Sequence, residues 1–114
     1  MIARVWQGQA NVENSEAYCH HFTECVRPVL SSIPGHRGAL LLRREIEGDA
    51  RTEFLVVTMW DSMEAVQAFA GPDPGHAVVE PAARAILADF EASARHYDVA
   101  LDTREPSGGP TNQE

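Results

Sequence analysis

An α+β fold follows from three observations on the 114-residue sequence. Two apolar runs rich in strand-forming residues, "RGALLLRRE" and "EFLVVTMW", flank the turn "EGDA" at residues 47–50, which predicts a β-hairpin. One amphipathic helical segment precedes this pair and another follows it. A final alternating run closes the ordered part of the chain.

Taken in order, "MIARVWQGQA" reads as a first strand, with Ile2, Val5 and Trp6 bulky and the first glycine only at Gly8. "NSEAYCHHFTEC" then starts a helix capped by Asn14 or Ser15. Helical spacing puts Tyr18, Phe22, Cys25, Val29 and Ile33 on one face, with His20, Glu24 and Arg27 opposite. Pro28 should kink or end this helix, and "SSIPG" stops it. The hairpin follows. A second helix takes Asp61 or Ser62 as its cap, buries Met63, Val66 and Phe69 or Ala70, and ends at Gly71-Pro72. Short helical pieces are expected in "HAVVE" and from Pro81 through "PAARAILAD". "FEASARHYDVA" reads as one last strand. The order is β-α-β-β-α-β, the ferredoxin-like plan, with an antiparallel sheet and its helices on one face. Residues 1–100 form one domain in this reading, and 101–114, without apolar periodicity, form a disordered tail.

"FLVVTMW" and "GALLL" are apolar on both faces, whereas a strand with one wet face alternates. Helices cover one side of a four-stranded sheet, so the other asks for a second copy of the chain. A homodimer is expected.

A net charge of −8, with no basic run longer than Arg43-Arg44, excludes nucleic acid and anionic membrane as partners. No apolar run approaches the ~20 residues of a membrane span, and charges within residues 1–30 interrupt any export signal. Cys19 and Cys25 point to different sides of their helix, so two free thiols and a cytoplasmic location are expected. His21 and Cys25 are four apart, but no third or fourth ligand stands at usable spacing, so no metal is expected. On the helical wheel His20 is solvated and His21 half-buried.

With these elements in place, "MIARVWQG", "PGHRGALLLRRE", "EFLVVTMWDSMEAVQAFAGPD" and "HYDV" together resemble the antibiotic biosynthesis monooxygenase family over residues 1–100. The resemblance implies a dimeric α+β barrel that oxygenates phenols, quinols or enols directly with O2, without a cofactor. Two branches of the family differ from this chain. Haem-degrading members carry a first-strand Asn, a Trp in the helix after the W-x-S element and a haem-ligating His. Those positions read Gln7, Phe69 and Val79 here, with His76 three residues short, so haem degradation is not expected. Members acting on polyketide aromatics have an Asn where Val56 stands.

Such chemistry needs an apolar slot, a group to take a phenolic proton and a donor for the resulting oxyanion. His76, after "GPDPG", and His96, inside the last strand, are the candidates for proton handling. Trp60 and Phe69 are expected to line the slot, although Trp60 at a strand–helix hinge is better explained as a packing anchor or dimer contact. Arg43 is either an anion stabiliser or a salt-bridged surface residue. The competing reading is a non-catalytic protein that binds a small aromatic or enolic molecule on the same fold.

Overall fold

The computed structural model describes residues 1–104. Its elements are β1 (Ile2–Asn11), a 3-10 turn, α1 (Ser15–His21), a π turn (Phe22–Val26), α2 (Arg27–Ser31), β2 (His36–Ile46), β3 (Arg51–Trp60), α3 (Met63–Ala70), α4 (Pro81–Ile86), β4 (Leu87–Phe90) and β5 (Arg95–Asp98). The ferredoxin-like β-α-β-β-α-β plan is present, and every strand pairing is antiparallel. The sheet runs β2-β3-β1-β4, and β5 shares with β4 the second edge of β1.

Two corrections concern the C-terminal third. The expected single last strand is two: β4 pairs with Gly8 to Ala10 and β5 with Ile2 to Val5. Between them the backbone bulges outward, and Ala92 and Ala94 bond instead to Ala77 and Gly75 of the preceding loop. "HAVVE" is therefore not helical; His76 forms an isolated bridge to Ser93. The helix from Pro81 stops at Ile86 because Leu87 is drawn into extended backbone (ψ 142) beside β1. Pairing against the free edge of β1 outweighs helix propensity there. The predicted tail at 101–114 is without regular structure at 101–104 and otherwise lies outside the described residues.

The first helix differs in register from the wheel. The Arg27 amide bonds to the Phe22 carbonyl, five residues back, just before Pro28. Proline offers no amide to the Glu24 carbonyl and its ring crowds that carbonyl, so a wider turn relieves the clash without breaking the helix. The wider turn makes the buried positions fall four apart: Tyr18, Phe22, half-buried Val26 and Leu30. Cys25, placed on the inner face by regular spacing, is exposed, and so is Val29.

Side chains Arg4, Trp6, Gly8 and Ala10 of β1 face the helices and are buried. Gly8 is required by its neighbour, since an added Cβ would meet the Trp6 indole at 2.7 Å. The hinge after β3 is tied down tightly. The Asp61 amide bonds to the Gly35 carbonyl at 2.8 Å, and Arg37 grips the Asp61 carboxylate with two donors at 2.7 and 2.6 Å. Ser62 caps α3 by accepting from the Ala65 amide at 3.2 Å. Trp60 itself is fully buried, donates to Thr58 Oγ1 at 2.8 Å, and packs between Phe69 and the edge of His36.

Among the described residues no helix lies on the opposite face of the sheet. Leu55 and Val57 of β3 are half-buried there, and Leu40, Leu42 and Tyr97 are 49%, 45% and 52% exposed.

Candidate functional site

A cavity of about 210 Å³ lies between the sheet and its helices. Arg4 and Trp6 of β1 with Val56 and Thr58 of β3 form its floor. Tyr18, His21 and Phe22 come from the first helical stretch, and Phe69 from α3. Val78, Val79 and Glu80, in the loop before α4, complete the wall. Most of the lining is apolar, with a few polar groups, the usual make-up of a small-molecule site.

Two of those polar groups are unusual. Arg4 is 6% exposed, and of its donors Nη2 reaches the carbonyls of His76 at 2.9 Å and Pro74 at 3.5 Å. Its Nε is buried with no acceptor. The guanidinium lies 5.5 Å above the Phe69 ring. His21 is 7% exposed, not half-buried as the wheel suggested, and its Nε2 has no hydrogen-bond partner. The nearest acid is Glu80, with Oε1 at 3.7 Å. Burial pushes the Tyr18 phenol upward, so it remains a neutral donor.

The residues singled out from sequence are spread over the molecule. Phe69 lines the cavity; Trp60, stacked on it at 5.7 Å, does not. The His76 side chain is exposed and only its carbonyl takes part, as the acceptor for Arg4. His96 pairs across the sheet with Arg4, next to the floor but off the wall of the cavity. Arg43 stands on the β2 edge strand, bonded to Glu16 at 2.8 Å and to Cys19 Sγ at 3.4 Å, away from the cavity. The haem-branch positions separate as well: Val79 and Phe69 are on the wall, but Gln7 points to the bare face, where its amide donates to Glu53. Among the described residues no cluster of three or more metal-ligating side chains occurs, and no helix is long and apolar enough to cross a membrane.

Sequence reasoning passed over Arg4 and His21. The signal for Arg4 was present: it alternates with Ile2 and Trp6, so a charge had been placed on the buried face of the first strand. His21 stands three residues after Tyr18 in α1, the spacing that shares its buried face.

Burial holds the imidazoles of His36 and His96 below their ordinary 6.5, in His96 with help from the Arg4 charge. Both keep a ring nitrogen buried without a partner. Below about pH 6.5 the unfolded chain takes up these protons before the folded one does, so stability is undiminished above that pH and falls as the pH drops. Thermal melts from about pH 7.5 down to 5 should show this slope, and a His36→Gln, His96→Gln double variant should have a shallower one.

An antiparallel sheet with helices on one face, closing over a small, mostly apolar cavity, defines an α+β protein with a candidate small-molecule site. The family model for antibiotic biosynthesis monooxygenase matches residues 1–81, and the chain belongs to that family. No curated protein sequence matches the chain. Among solved structures, the heme-degrader MhuD (Rv3592) of Mycobacterium tuberculosis, with two hemes in its active site, is 24% identical with TM-score 0.62. That match covers 91% of this chain and 100% of the other. The ActVA-Orf6 monooxygenase of Streptomyces coelicolor, in complex with nanaomycin D, is 15% identical with TM-score 0.59, covering 92% and 91%. A Bacillus cereus protein named after the same family is 13% identical with TM-score 0.65, covering 91% and 97%. At these identities the likeness establishes the fold.

Proposed function

We propose that this protein is a cofactor-independent monooxygenase that oxidises a small phenolic, quinol or enolic metabolite with O2. The observation that carries the reading is the cavity: a mostly apolar lining, and an imidazole nitrogen at His21 that makes no hydrogen bond among the described residues, with the Glu80 carboxylate 3.7 Å away. His21 Nε2 takes the phenolic proton. The resulting anion passes an electron to O2, and recombination gives a hydroperoxide that loses water. Conversion of a ring CH2, or of a CH beside a phenol, to C=O consumes one O2 and releases one H2O, so no external reductant is needed. Proton handling thus falls to His21 rather than to His76 or His96, whose side chains are not on the cavity wall.

The test is oxygen uptake against naphthols, anthrones and hydroquinones with no flavin, metal or nicotinamide added. Uptake well above autoxidation on at least one of them is the expected result. If none exceeds autoxidation, the protein is a binder on the same fold. The polar groups in the cavity favour the oxygenase reading, since simple retention of an apolar molecule requires neither. Haem degradation, the activity in the MhuD name, is disfavoured by the alkyl side chain of Val79 and the outward course of Gln7.

The working unit in this proposal is a homodimer of the 1–100 domain, with the bare faces of two sheets packed together in a barrel. Leu40, Leu42, Val57 and Tyr97 form a contiguous apolar patch of the kind that marks interfaces. Light scattering at micromolar concentration should give the mass of two chains. A well-folded monomer would count against it. Free Cys19 and Cys25 support a reducing, cytoplasmic setting.

A further inference from the structure

Arg4 is a buried cation that no acidic side chain among the described residues neutralises. None of the ion pairs among the described residues includes it, although the sequence carries 17 acidic residues. Its contacts are two carbonyl oxygens, an aromatic face and the neighbouring His96, so no negative charge offsets it. Burying an unpaired charge is costly, and burial lowers its proton affinity as expected. Anchoring the loop carbonyls of Pro74 and His76 does not explain the choice, because a neutral amide donor could do the same. What a guanidinium adds is a fixed positive charge with a planar fork of donors, the group suited to a carboxylate. The Arg4 side chain forms part of the cavity floor, its guanidinium over the Phe69 ring, in a lining that also includes His21.

From this geometry we infer that the natural ligand is an aromatic carboxylate of one or two rings, its carboxylate held by Arg4 and its ring packed against Phe69 and Val56. The inference rests on the proposed function and narrows it: the substrate is a hydroxyaryl acid that arrives already charged, with its hydroxyl directed to His21. A single polar end at each wall fixes the ring in one orientation, so one ring position is presented to O2. The exposed acids behind the net charge of −8 oppose this only weakly in salt, and Glu80, the one acid on the cavity lining, stands beside His21, 3.7 Å from its Nε2.

The experiment is a calorimetric titration of the full-length protein with three probes of similar shape: 1-naphthoate, 1-naphthamide and 1-naphthol. The native protein should bind naphthoate at least about tenfold tighter than naphthamide or naphthol, the order expected of hydrogen bonds to a charged group. Arg4→Met, which keeps the length of the stem, should abolish that preference while retaining naphthol. Arg4→Lys should keep part of it. Because the comparison of probes on the native protein stands alone, a variant that fails to fold does not remove the test. Equal binding of all three probes overturns the carboxylate assignment but leaves the cavity as a binding site. Persistence of the preference in a folded Arg4→Met variant also overturns it. If no probe binds, the cavity reading itself falls, and this inference with it.

Discussion

Trp60→Ala should cost about 3–5 kcal/mol of folding stability, enough to unfold a domain of this size near physiological temperature. The side chain is fully buried, its ring stacks on Phe69 and meets the His36 ring 5.0 Å away, and its indole donates to Thr58. Truncation removes all of these contacts and leaves Thr58 Oγ1 without its donor on the cavity floor. Chemical denaturation should show the midpoint falling sharply at nearly unchanged slope. Trp60→Phe should recover much of the loss, because most of the contribution is packed area rather than the hydrogen bond. A loss below about 1 kcal/mol for alanine would mean that the hinge is not part of the core, since buried aromatic truncations do not cost so little.

The second large effect is chemical. Once a substrate is found, His21→Ala should lower its turnover by about 10²–10⁴-fold, the usual contribution of a positioned base. His76→Ala and His96→Ala should leave turnover within a small factor, since neither ring reaches the cavity wall. The pH dependence separates this from a packing defect. If His21 is the base, the alanine variant should regain rate at alkaline pH, where the phenol ionises unaided. Loss of rate for His96→Ala equal to that for His21→Ala would place the chemistry on the Arg4 side of the floor instead.

The fold was legible because its signals are local and repeated. Ser62 and Gly71 bracket α3 as its sequence announces, and the two-sided apolar pattern of "FLVVTMW" does correspond to a strand flanked by helices on one side and bare on the other. What escaped was decided by partners far along the chain. "FEASARHYDVA" reads as one strand although its apolar residues change parity between Ala94 and Tyr97, and the strand breaks where the 75–77 loop competes for its backbone groups. Leu87 gives no helix stop, and only the vacant edge of β1 makes it extended. The site was less legible than the fold for a related reason. Pro28 was visible, but the one-residue widening it provokes, which leaves Cys25 outward, is a response of the whole helix. Arg4 was visible too, as a charge on the parity of Trp6, and was passed over because a lone arginine in a strand is commonly at a surface.

The bulge between β4 and β5 has a kinetic consequence. The stretch that walls the cavity at Val78 to Glu80 is neither helix nor sheet, and is clasped at its start by the Ala77 amide on Ala92, the Ala94 amide on Gly75 and Arg4 on the His76 and Pro74 carbonyls. Such a clasp opens by local unfolding, far below the energy needed to unfold the sheet. When its two backbone links and one side chain let go together, this side of the cavity widens, and the loop can then admit or release a ligand larger than the resting opening. Residence time of such a ligand should then lengthen or shorten with local amide exchange, adjustable at Ala92 or Ser93 without touching any group that meets the ligand.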